Sequence, residues 1–149
     1  MKSKSIRYLV IAVIVAVLVF SFKMYNDYKE KNLDEVINYN PENLNYFGIF
    51  LRGHEEWNTD KKEPPKKLKE FLSQYKVKKM FAAKCSSVNS FMKENLFDIQ
   101  YRLKGEDRAK MFTVFENCIY SFDSGKMYKV INGPIDIDWI RKYNEEYQQ

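Results

Sequence analysis

Residues 97–131, FDIQYRLKGEDRAKMFTVFENCIYSFDSGKMYKVI, decide the fold. Phe97, Ile99, Tyr101 and Leu103 alternate with Asp98, Gln100, Arg102 and Lys104, the period of two that puts one set of side chains on each face of a strand. Gly105-Glu106-Asp107 turns the chain and 109–115 returns. Glu116-Asn117 makes a tight connection, 118–122 runs back, and Asp123-Ser124-Gly125-Lys126 leads into 127–131. Four consecutive antiparallel strands follow from this pattern.

On the C-terminal side, Asn132-Gly133-Pro134 stops the sheet. Asp136 or Asp138 can cap a closing helix that reaches about Tyr147 and buries Ile137, Ile140 and Tyr143. On the N-terminal side, 77–96 has no clear period. Before it, Leu68, Phe71, Leu72 and Tyr75 recur at helical spacing and predict an amphipathic helix over 64–76, with Pro64 in its first turn. Residues 46–52 (YFGIFLR) predict one further strand, in which Gly48 marks a bulge or a close backbone approach. The order strand, helix, four-stranded meander, helix describes an α+β domain with a mainly antiparallel sheet and helices on one face.

Further out, the chain changes character. Residues 8–22 (YLVIAVIVAVLVFSF) carry no charge and lie between Lys2, Lys4 and Arg7 on one side and Lys23 on the other. A helix of 15 residues spans about 22 Å against a hydrocarbon core of about 30 Å. The span is completed if it runs from Tyr8 to Met24, with Ile6 prolonging it, tyrosines in the headgroup zones and Arg7 and Lys23 snorkelling outward. The expected layout is therefore a short cytoplasmic N-terminus (1–7), a transmembrane signal anchor (8–24), a stalk or linker (25–44) and an extracytoplasmic domain (45–149). Val19-Phe20-Ser21 keeps a cleaved signal, and hence a secreted product, as the alternative. Positive charges near the two ends divide four to three, counting the free amine, so orientation rests mainly on the short N-terminus.

Composition narrows the functional classes. Of the 25 Lys and Arg, four lie in the first 23 residues, which hold no acid, leaving 21 bases against 20 acids in the remainder. A body so close to neutral lacks the electrostatic footprint of a nucleic-acid binder. The five glycines are scattered singly, so no phosphate-cradling loop is present, and one histidine, His54, gives no convergent metal set. A Cys85–His54 nucleophile pair lacks any supporting motif. No cofactor and no catalytic set is expected.

Two groups of residues remain as candidate sites. Cys85 and Cys118, the only cysteines, can close a disulfide loop if the domain lies outside the cell, or stay as two buried thiols. Lys61, Lys62, Lys66, Lys67 and Lys69 crowd the start of the predicted helix and are candidates for contact with an anionic surface, or simply its solvated face.

The layout resembles small single-span proteins of Gram-positive bacteria. The expected function is a membrane-anchored, non-catalytic interaction protein of a bacterial cell envelope, with a protein partner at the membrane surface. It would accept that partner on the exposed sheet face or at a sheet edge left by 46–52. Bacteriocin immunity or surface exclusion is one alternative, and an accessory subunit of a secretion or conjugation complex another.

Overall fold

The computed structural model describes residues 2–51, 56–81 and 96–148, with side chains from Ile6 onward. Expectations placed on His54 and Cys85 lie outside the described residues.

A single apolar helix, α1 (Lys2–Tyr28), opens the chain. From Ile6 to Tyr28 it is long and apolar enough to cross a membrane, and none of that stretch is buried against protein. The body follows at once with β1 (Lys31–Asn32), α2 (Leu33–Ile37), a 3-10 turn (Pro41–Asn43), β2 (Leu44–Leu51), β3 (Trp57–Thr59) and α3 (Glu63–Leu72). Then come β4 (Lys76–Lys79), β5 (Leu96–Leu103), β6 (Lys110–Phe115), β7 (Cys118–Ser121), β8 (Lys126–Val130) and α4 (Ile137–Tyr147). The eight strands form one antiparallel sheet in the order β1-β4-β8-β7-β6-β5-β2-β3.

The meander β5 to β8 forms as the alternation predicts, in the register Ile99 to Phe112, Val114 to Ile119 and Ile119 to Tyr128. These residues share the face on which α2, α3 and α4 pack. Phe47, Ile49, Leu68, Leu72, Phe97, Ile99, Val114, Ile119, Ile140 and Tyr143 lie at the centre of the resulting core. Asp136 caps α4, its carboxylate accepting the Trp139 N–H at 3.0 Å. Trp139 stacks on Phe71 of α3 with ring centroids 3.9 Å apart. The class is α+β, with three strands beyond the five expected: β1, β3 and β4, of two to four residues each.

Those short strands correct the sequence reading in three places. Residues 31–44, expected as a linker, belong to the body: Leu33 and Ile37 are 0% exposed, and Leu33 N–H donates to the Tyr75 carbonyl at 2.9 Å. The tether shrinks to Lys29 and Glu30. The predicted helix 64–76 stops at Leu72 because Lys76 pairs with Asn32 and enters β4. Finally, β2 is no edge: it lies between β5 and β3, and among the described residues β3 and β1 form the two outer edges.

Gly48 answers to the close-approach half of its expectation. A Cβ there would lie 3.0 Å from Tyr46 Oη and 3.1 Å from the Trp57 carbonyl oxygen. The register shift falls instead between Leu44 and Tyr46.

Four buried polar contacts tie the helices to one another, to the loop at Tyr39 and to the sheet. The Tyr39 and Tyr143 hydroxyls donate to the Pro65 and Pro64 carbonyls, each at 2.7 Å, and Tyr101 donates to the Ile37 carbonyl. Trp57 Nε1–H donates to Asn144 Oδ1 at 2.6 Å across 87 positions of sequence. Buried donors of this kind need partners, and each has one.

Candidate functional site

The lysines of α3 do not form one open cationic face. Lys62 pairs with Glu42, Lys67 with Glu146 at 2.6 Å, and Lys69 donates to the Tyr39 carbonyl at 2.9 Å. Glu146 holds the Lys67 ammonium above its ordinary pKa through that hydrogen bond. Lys61 and Lys66 stand exposed. Two of the five ammonium groups are thus answered by Glu42 and Glu146, brought in by the 3-10 turn and α4.

Cys118 opens β7 and is buried beside Leu96 and Phe115, on the sheet face opposite the main core. Its expected partner Cys85 lies outside the described residues. Among the described residues, no group of three or more His, Cys, Asp or Glu is placed to hold a metal.

The fold does build a cleft that sequence reasoning missed. It lies beside β3, has a volume of about 360 Å³ and is lined by Asn45, Tyr46, Asn58, Thr59, Asp60, Lys61, Pro64 and Tyr147. Four segments supply it: the start of β2, the end of β3, the entry to α3 and the last turn of α4. Only tertiary structure brings these together. The loop from β3 is shaped by the Lys61 N–H donating to Thr59 Oγ1 at 3.0 Å. Burial, with help from Glu56, pushes the Tyr46 hydroxyl above its ordinary pKa. Tyr147 is also raised, by burial first and despite nearby Lys67. Both hydroxyls therefore stay protonated at neutral pH and can donate as well as accept. With two asparagines, a threonine, an aspartate and a lysine, the cleft offers many hydrogen-bonding groups beside the unpaired backbone of an edge strand.

A second feature lies at the other end of the sheet. The last turn of α1 meets the end of β4: Lys79 Nζ is 3.0 Å from the Asp27 carboxylate and 4.8 Å from the Tyr28 ring centroid, and Tyr28 contacts Phe81. Asp27, through its hydrogen bond, raises the pKa of Lys79, so the pair stays ionised through neutral pH. Met24, Asp27 and Tyr28, at i, i+3 and i+4, are the partly covered residues of the segment. Comparison of the chain with protein-family models, with curated proteins and with solved structures finds no match.

Proposed function

We propose that the chain is a retained, single-pass membrane protein of a bacterial cell envelope whose extracytoplasmic α+β body binds a protein partner without catalysis. The observation that carries this reading is α1. Its apolar side chains contribute nothing to the protein core, while its last turn is tied to the body by the Lys79–Asp27 pair. The helix also continues unbroken through Ser21, the position at which a cleaved signal would have to be cut.

The binding element we assign is β3 with its cleft. An edge strand presents unpaired N–H and C=O groups to which a partner strand can add, while alternate side chains select it. Asn58 and Thr59 lie on that edge and line the cleft. Photo-crosslinking from position 58 in native membranes, with position 125 in the β7–β8 turn as the control, tests this. A protein adduct at 58 and none at 125 is expected; equal labelling at both positions would sink the assignment.

The compartment has its own marker. We propose that Cys118 pairs with Cys85, a disulfide that would mark an oxidising surrounding. The intact chain should weigh two hydrogens less than its reduced form, and reporter fusions at the C-terminus should read outside. A C-terminus that reads cytoplasmic overturns the placement.

A further inference from the structure

The tether between membrane helix and body is two residues long, Lys29 and Glu30, so the body has almost no freedom to lift away from the bilayer. At about 1.5 Å per residue, Asp27 stands only about 7 Å beyond Phe22, where the apolar run ends. The headgroup layer of one leaflet is itself of order 5–7 Å thick. Whatever touches Asp27 and Tyr28 is therefore at headgroup depth.

What touches them is the rim formed by the end of β4 and the β7–β8 hairpin. Lys79 pairs with Asp27, the Met80 N–H donates to the Met127 carbonyl at 2.8 Å, and Tyr128 lies opposite Lys79. Lys31 opens β1 opposite Val77, and Lys126 opens β8 opposite Ser121. This rim also carries two of the three exposed large apolar side chains that the described residues place on the body. Beyond α1, three large hydrophobic residues are exposed among the described residues: Phe81 at 84%, Phe122 at 50% and Ile131 at 39%. Phe81 contacts Tyr28, and Phe122 closes the hairpin next to the Ser121–Lys126 pair, braced edge-on by Tyr120 at 4.8 Å. Ile131 stands at the far end of β8, beside Lys76.

We infer that this rim is a lipid-contact surface: Phe81 and Phe122 enter the interface of the leaflet that α1 leaves, and Lys31, Lys79 and Lys126 lie over its phosphates. The inference rests on the membrane-anchor reading and adds to it a fixed seating of the body. The combination is the one interfaces select, apolar rings at the acyl boundary with basic groups at phosphate level. Asp27 and Asp123 also stand here; Asp27 is answered by Lys79. The α3 lysines are not part of this rim, because α3 feeds the opposite end of β4, at Lys76.

The test uses the full chain in vesicles of phosphatidylcholine and phosphatidylglycerol, carrying Phe81→Trp, Phe122→Trp or Ile131→Trp. Fluorescence of the unsubstituted chain, from Trp57 and Trp139, is subtracted. Bromine-labelled acyl chains should quench emission from positions 81 and 122 several-fold more than from 131, and aqueous iodide should show the reverse order. All three positions are exposed, so none of the substitutions disturbs the core. If the chain floats with the vesicles but 81 and 122 are no better quenched than 131, the seating is wrong and the anchor stands. Cross-links between copies of the chain at 122 would likewise overturn it, reassigning the rim to self-association. If the unsubstituted chain fails to float, the anchor reading itself falls and the seating with it.

Discussion

Helices α1 and α4 obey opposite rules within one chain. In α4 the apolar residues Ile137, Ile140 and Tyr143 are buried, at 5%, 0% and 1% exposure, and the face away from the sheet carries Asp138, Lys142 and Glu145. In α1, residues as apolar as Leu9, Ile14 and Leu18 are exposed on every side, with no polar face to balance them. A helix that is hydrophobic all round has to be covered by something. For α4 the cover is the protein's own sheet; for α1 no described residue beyond its last turn provides any, and lipid is the solvent that suits it.

The largest effect that can break this contrast is a double dissociation. Val13→Arg with Val17→Arg should move the full chain out of the membrane fraction, since each charge costs about 2.5–3.5 kcal/mol at a helix centre in lipid. Thermal melting of the body should not change. Ile140→Ala should do the reverse, lowering unfolding free energy by about 2–5 kcal/mol while leaving membrane partition intact. Were the arginines to destabilise the body, α1 would belong to the core.

Next in size is Leu33→Ala. Residue 33 is fully buried between α3 and the sheet edge, so truncation should cost about 2–5 kcal/mol in a denaturant titration, where a flexible linker would give close to zero. Asn144→Ala is expected to be smaller, about 1–3 kcal/mol, because it strands the buried Trp57 N–H without an acceptor.

The mildest challenge is alkaline titration, which leaves the body untouched at neutral pH. Burial is the leading cause that raises Tyr39, Tyr101 and Tyr143 above the ordinary value of 10.0, with further raising by neighbouring Tyr or acidic groups. A folded state that holds these protons more tightly than the unfolded chain is at full strength below the unfolded pKa and loses stability as pH climbs past it. Unfolding should therefore become easier above about pH 10. Tyrosinate absorbance from these three should rise only with loss of tertiary structure. Ionisation at the ordinary pKa in the folded protein would show that their hydroxyls are not sealed.

The same division governs what the sequence makes legible. Residues 97–131 can be read directly because each strand is long enough to show its period and each turn carries Gly, Asp or Asn at the bend. The Asp136 cap and the Ile137, Ile140, Tyr143 face are read for the same reason. Residues 31–44 cannot be: a two-residue strand and a five-residue helix have no period to recognise, and their fixing partners, Tyr75 and Pro65, lie about 40 and 26 positions on. β3 escapes notice because three residues are too few to show a period, and β4 because it is short and paired to strands remote in sequence. β2 reads as an edge in the sequence because the three residues of β3 give no signal there. The cleft had no local signal at all, since its walls come from four separate segments. The lysine cluster was visible but its neutralising partners, Glu42 and Glu146, were not.

The sheet order has a mechanical corollary. α1 joins the body at β1 and β4, whereas β3 closes the opposite margin, seven interstrand steps of about 4.8 Å away, or on the order of 30 Å. If α1 anchors the body and β3 binds as proposed, pivoting about that root sweeps the free margin around a circle of roughly that radius, so a target would be met well to the side of the anchor, by two-dimensional diffusion, without crowding the lipid that surrounds it.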